Sequence, residues 1–239
     1  MLFDDTNYRS EKHTSDSWDI FGADEAVETL RTHIAKGLTN RSYMFIGPEG
    51  VGKNTLARRF AQAIFAPRND DPTLPNMDSA AANAIERGEF GDVKLFGATE
   101  GLKTKTTSVD DFRQLNRSVY LTPFSSKYQF IIYTANLASV NAMNANLKLL
   151  EEPPSSATLI LITDSPDTFP ATIRSRCFNI VLRPLPKETL AAILVSEDLV
   201  EDIGAASEYA LLAGGCYGKA VSLINDPSFM MTLKVIMDD

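Results

Sequence analysis

Five short apolar runs recur along the chain, separated by longer segments with helical patterning. They are YMFI (43–46), VKLF (93–96), FIIY (130–133), TLILIT (158–163) and FNIVL (178–182). The helical patterns cover Ala23–Lys36, which stops near Gly37, then Lys53–Phe65, Ser79–Arg87, Val109–Tyr120 and Leu137–Glu151. Buried strands that alternate with helices build βαβ units, and those units close into a parallel sheet covered on both faces. An α/β fold is therefore expected. The segment PRNDDPTLPNMDS (67–79) is rich in Pro, Asn and Asp and reads as a surface loop. The polar stretch 1–17 reads as a flexible N-terminal tail.

After Leu182 the sequence RPLP reads as a linker, and only helical patterns follow: Lys187–Ser196, Val200–Ala213, Lys219–Ile224 and Ser228–Met237. Pro186 and Pro227 stand where proline favours a helix start. The expected organisation is a tail at 1–17, an α/β domain at 18–183 and a small all-helical domain at 184–239. With 239 residues, 44% of them apolar, the chain can bury such a core.

Between the first strand and its helix lies FIGPEGVGKNT, Phe45 to Thr55. Gly47, Gly52 and Lys53 have the spacing of a phosphate-binding loop, with Gly50 between them. Backbone amides from Glu49 to Lys53 would cradle phosphates where the helix dipole favours anions, and Lys53 would reach the outer phosphates. The residue after Lys53 should carry a hydroxyl for Mg²⁺, but it is Asn54, whose amide oxygen is bulkier and a poorer ligand. Thr55 has a hydroxyl but lies about 100° further around the helix. A hydrolytic site also needs a carboxylate at a neighbouring strand end. The matching strand reads FIIYTANLAS, with Tyr133 and Thr134 in that place, and no Asp or Glu occurs from Phe112 to Leu150. Hydrolysis at this loop is not expected. Weak ATP or ADP binding stays open, and no other cofactor is expected.

Charge and cysteine content narrow the remaining classes. The balance of 31 acidic against 23 basic residues gives a net charge of -8, which argues against this chain alone gripping nucleic acid. Cys177 and Cys216 are the two cysteines and form no C-x-x-C pair, so neither zinc nor a disulfide framework is expected. No apolar run approaches a membrane span, and a cytoplasmic protein with no membrane partner follows as the expectation.

The stretch NANLKLLEEPPSSATLILITDSPDTFPATIRSRCFNIVLRPL (144–185) contains LLEEPP, TLILIT and TIRSRC in that order. It resembles bacterial clamp-loader subunits of the AAA+ ATPase class, and most nearly the delta-prime branch of the DNA polymerase III clamp loader. VDDFRQLNRSVYLTP (109–123) and GGCYGKAVSLI (214–224) extend the resemblance. The resemblance implies a five-stranded parallel sheet in the order 5-1-4-3-2 with a helical lid. It implies a place in a hetero-oligomer with ATP-hydrolysing subunits, a clamp-opening subunit and, through the assembly, a sliding clamp and primed DNA. It also implies that Arg176 of SRC reaches into a neighbour's ATP site as an arginine finger, where its fork and permanent charge suit phosphate oxygens. Arg174 is read as structural or as a weaker phosphate contact.

Departures from the family carry further expectations. No cysteine stands near 67–92, where relatives often hold a zinc module. The lid arginine of active relatives is replaced by Gly218, with Lys219 beside it. Thr163 falls where active relatives sense the γ-phosphate and is read as structural here. The collar domain of the family does not follow within these 239 residues, being either trimmed from this sequence or absent. Glu151 and Glu152 close a helix whose dipole they oppose, and they read equally as solvated acids or as partners for basic residues. An active ATPase using Glu151 or Asp164 as an unusual acid is the alternative reading.

Overall fold

The computed structural model describes residues 18–96, 129–134, 154 and 156–226. The strands are β1 (Ser42–Ile46), β2 (Val93–Phe96), β3 (Gln129–Thr134), β4 (Ala157–Thr163) and β5 (Phe178–Val181). They form one parallel sheet in the order β2-β3-β4-β1-β5, as the resemblance implied. All seven residues of β4 are buried, as are four of the five in β1, because central strands of a parallel sheet are covered on both faces. The edge strand β5 buries Ile180 and leaves Phe178 and Val181 exposed.

Described helices are α1 (Asp24–Ala35), α2 (Lys53–Phe65), α3 (Ala80–Glu86), α4 (Ala171–Arg174), α5 (Lys187–Ser196), α6 (Ile203–Leu212) and α7 (Tyr217–Asn225). The patterns expected over Val109–Tyr120, Leu137–Glu151 and Ser228–Met237 lie outside the described residues, as do the tail 1–17, Glu151 and Glu152. Helix α6 begins at Ile203 rather than at the expected Val200. The reason is its cap: the Asp202 carboxylate accepts the Ala205 N–H at 2.8 Å and closes the first turn. Helix α7 begins two residues before the expected Lys219, from an extended Cys216. The short α4 and a 3₁₀ turn at Pro166–Thr168 have too few residues for a period to be read from sequence.

The chain divides into two compact units. The described residues of one are 24–46, 53–96, 129–134, 154 and 156–181, and those of the other are 18–23, 47–52 and 182–226. In the first unit α2 buries Leu56, Ala57, Phe60 and Ala61, the i, i+1, i+4, i+5 stripe of an amphipathic helix. Phe60 meets Tyr43 and Phe130 edge-on, with ring centroids 5.3 and 5.2 Å away. Burying a phenylalanine of this kind stabilises by about 1.5–3 kcal/mol. Gln62 is fully buried, yet its Nε2 donates to Ala82 O at 2.9 Å and its Oε1 accepts from Arg59 at 2.8 Å. Both bonds offset the desolvation of the amide, and the one to Ala82 ties α2 to α3.

A second polar tie joins α1 to β1. The Tyr43 hydroxyl donates to Leu38 O at 3.2 Å, and His33 Nδ1 lies 3.0 Å from the same hydroxyl. With the tyrosine proton engaged, Nδ1–H is the donor to it. Phe178 packs edge-on against the His33 ring at 4.7 Å. Burial, then Arg41 and Lys36 nearby, lower the His33 pKa below its ordinary value. In the second unit, α5, α6 and α7 meet around Leu190, Ala191, Leu194, Ala206, Ala210 and Ala220. The alanines let these helices approach closely.

Candidate functional site

The phosphate loop leaves β1 after Ile46 and enters α2 at Lys53. Gly47, Gly50 and Gly52 have φ of 158°, 77° and 104°. Within the loop, Val51 N–H reaches Pro48 O at 3.3 Å, so Pro48 to Val51 form a turn with Gly50 in its left-handed position. Gly50 is also gripped by α7. Its carbonyl accepts the Gly218 N–H at 2.8 Å, and a Cβ at Gly50 would lie 2.6 Å from Lys219 N. A Cβ at Gly218 would in turn lie 3.0 Å from Gly50 O. Two backbones touch here because neither residue has a side chain. Lys219 is brought to the loop by its main chain.

Lys53, the first residue of α2, is 6% exposed. A cation buried to that degree needs a partner, and Asp164 supplies one. Lys53 Nζ donates to Asp164 Oδ1 at 2.8 Å, while the Asp164 side chain stays 40% exposed. Asp164 directly follows β4, and in the β1–β4 register Ile46 faces Thr163. Thr163 is fully buried, and its Oγ1 donates to Ser165 O at 2.8 Å and accepts the Ser165 N–H at 3.2 Å. Those two bonds close a tight turn that holds the Asp164 backbone between them.

Asn54 Oδ1 is buried and has no hydrogen-bond partner. Asn54 is the residue after Lys53, where the sequence pattern calls for a hydroxyl. Magnesium requires octahedral oxygen ligands with one or two carboxylates. Among the described residues no group of three His, Cys, Asp or Glu is placed to hold a metal. Thr55 is half-buried one position further along α2. On β3, Tyr133 and Thr134 pair in register with Leu161 and Ile162 of β4, so a strand end without a carboxylate stands beside Thr163 and Asp164.

Arg176 lies in the turn between α4 and β5. Its guanidinium is exposed, and Nη1 donates to Thr172 O at 2.8 Å while its backbone N–H bonds Ile173 O at 3.0 Å. Fully buried Ile173 anchors that turn in the core. Arg174, two residues earlier, forms an ion pair with Asp167. Burial pushes the Cys177 thiol up to about 11, so it is not a thiolate at neutral pH. Sequence reasoning named Asp164 only as an unusual catalytic acid. Its place beside Lys53 was signalled by an acid directly after a strand that neighbours β1, once the strand order is known.

A sequence profile for the family described as "DNA polymerase III, delta subunit" matches residues 22–186. The chain belongs to this family, a clamp-loader family of the AAA+ class. It is 30% identical to DNA polymerase III subunit tau of Bacillus subtilis (strain 168) over 215 residues, covering 87% of this chain and 37% of that relative. It is also 30% identical to subunit tau/gamma of Haemophilus influenzae, over 86% of this chain and 30% of the relative. The chain therefore spans about a third of the length of these curated relatives. Among solved structures, a DNA polymerase III gamma subunit-related protein from Thermotoga maritima superimposes with a TM-score of 0.50 at 23% identity, covering 82% of this chain and 57% of that one. A single-residue mutant of RuvB from the same organism gives 0.57 at 17% identity, covering 91% and 66%. At those identities the two structures share the fold with this chain. No helix among the described residues is long and apolar enough to cross a membrane.

Proposed function

We propose that this chain is a non-hydrolysing, delta-prime-like subunit of a DNA polymerase III clamp loader. It works in the cytoplasm and donates Arg176 to the ATP site of a neighbouring subunit. The observation that carries the reading is the exposed Arg176 guanidinium on a turn anchored by Ile173, in a chain whose own phosphate loop has Asn54 at the metal position. A planar fork of five donors with a permanent charge fits the γ-phosphate oxygens of a nucleotide held by another chain. Its own loop binds ATP or ADP weakly or not at all, holds no zinc or magnesium, and serves as architecture. The partners are ATP-hydrolysing loader subunits, a clamp-opening subunit and, through them, the sliding clamp and primed DNA.

The test is turnover by the assembled loader. ATPase activity rises when this subunit joins its ATP-hydrolysing partner, and Arg176→Ala removes the rise without dispersing the complex. Arginine fingers contribute about 10³–10⁵ in rate in other phosphoryl-transfer systems. An unchanged rate in an intact Arg176→Ala complex means that the arginine is not the donor. One observation favours the second reading, an ATPase with an atypical acid: Asp164 stands directly at the loop lysine. ATP turnover by the purified chain, abolished by Lys53→Ala, is the result that this alternative requires.

A further inference from the structure

Lys53 and Asp164 form an ion pair that the proposed role of Arg176 does not use. The lysine is almost completely buried at the first position of α2, so its charge is stable there only with an anion at hand. In a phosphate loop that anion is a phosphate oxygen. Here a carboxylate oxygen of the same chain sits 2.8 Å from Nζ, within the range of a charge-assisted hydrogen bond. The carboxylate is presented by a built feature: the Thr163–Ser165 turn, bonded twice through the Thr163 hydroxyl at the end of β4. Its 40% exposure leaves it room to swing into solvent, whereas the lysine has almost none.

We infer that Asp164 is a built-in counter-anion of the phosphate loop, which occupies Lys53 in the nucleotide-free chain and competes with the phosphates of any nucleoside polyphosphate for it. A ligand arriving with three or four negative charges must displace the carboxylate or lie against it, and both cost affinity. Asp164 thus compensates the lysine charge without a ligand and biases this chain toward the nucleotide-free state. The inference rests on the reading of this loop as non-hydrolysing. It makes the opposite prediction from the one in which Asp164 is a catalytic or metal-holding acid: removing the carboxylate improves binding instead of abolishing it.

The experiment is titration of the purified full chain with ATP and with ADP, each with and without Mg²⁺. It compares the unaltered chain, Asp164→Asn, Lys53→Ala and the double variant. Asp164→Asn should bind nucleotide on the order of tenfold more tightly, from the usual strength of a bond to a charged group. Adding Lys53→Ala should remove that gain. If Asp164→Asn fails to fold, Asp164→Thr carries the same comparison in a side chain of similar volume. Binding that is unchanged, weaker or undetectable in the folded Asp164 variant overturns the inference. A gain that survives Lys53→Ala also overturns it, because the effect would then be general charge and not release of the lysine. The Arg176 test reads a partner's turnover and this one reads the chain's own binding, so either idea can fail without the other.

Discussion

Gly50→Ala tests how tightly α7 holds the phosphate loop. Gly50 has φ +77°, and an L-residue in that region costs about 1–2 kcal/mol. The new Cβ would also stand 2.6 Å from Lys219 N, 2.9 Å from Lys219 Cβ and 3.2 Å from Lys219 Cα. Two of these three atoms are main chain in the first turn of a helix, so relief requires the loop and α7 to part. Parting them loses the Gly218 N–H to Gly50 O bond at 2.8 Å, worth about 0.5–1.5 kcal/mol net. Together the terms give roughly 2–3 kcal/mol of destabilisation. For a chain of this length that lowers Tm by about 5–10 °C. Gly214→Ala is the control: φ is +59° there, but nothing lies within 4 Å of the added Cβ, so only the conformational term acts. Thermal melts followed by far-UV circular dichroism should place Gly50→Ala below Gly214→Ala by about 1–6 °C. Equal melting temperatures for the two variants would refute the close backbone contact between the loop and α7.

Two further outcomes follow from local geometry. The His33 pKa is lowered in the folded chain, so unfolding takes up a proton as pH falls below the ordinary value near 6.5. Stability present above that pH is therefore lost as pH drops toward the folded pKa. His33→Gln should show a shallower decline of Tm between about pH 7 and pH 5, and parallel profiles would contradict the assignment. Asp202→Ala removes the cap on Ala205 N–H and should cost about 1 kcal/mol by denaturant titration. Asp202→Asn, which keeps an acceptor, should recover most of it.

Much of the fold was legible because its signals are local. Lys53–Phe65 and Lys187–Ser196 were read from the sequence with the boundaries the structure has, since a long amphipathic period and a proline start are properties of adjacent residues. The strands were readable as short apolar runs for the same reason. The start of α6 was misplaced because the choice between Val200 and Ile203 rests on whether the Asp202 side chain turns back onto Ala205, which composition does not reveal. The short α4 was missed although it carries Ile173, the anchor of the Arg176 turn.

By itself the sequence determined that a strand, a glycine loop and a helix follow one another, that Asn54 replaces a hydroxyl, and that a long stretch lacks carboxylates. Each is a statement about residue identity at a spacing. Only the tertiary structure decided what the loop touches. Lys53 and Asp164 are 111 residues apart, and β4 must pair beside β1 in register before they meet. Gly50 and Gly218 meet only because two backbones without side chains can approach to hydrogen-bonding distance, and that distance is a property of packing. The loop's residue identities were written in the order of residues, whereas the partners of its lysine and its central glycine were set by which distant segments the sheet and helices bring alongside.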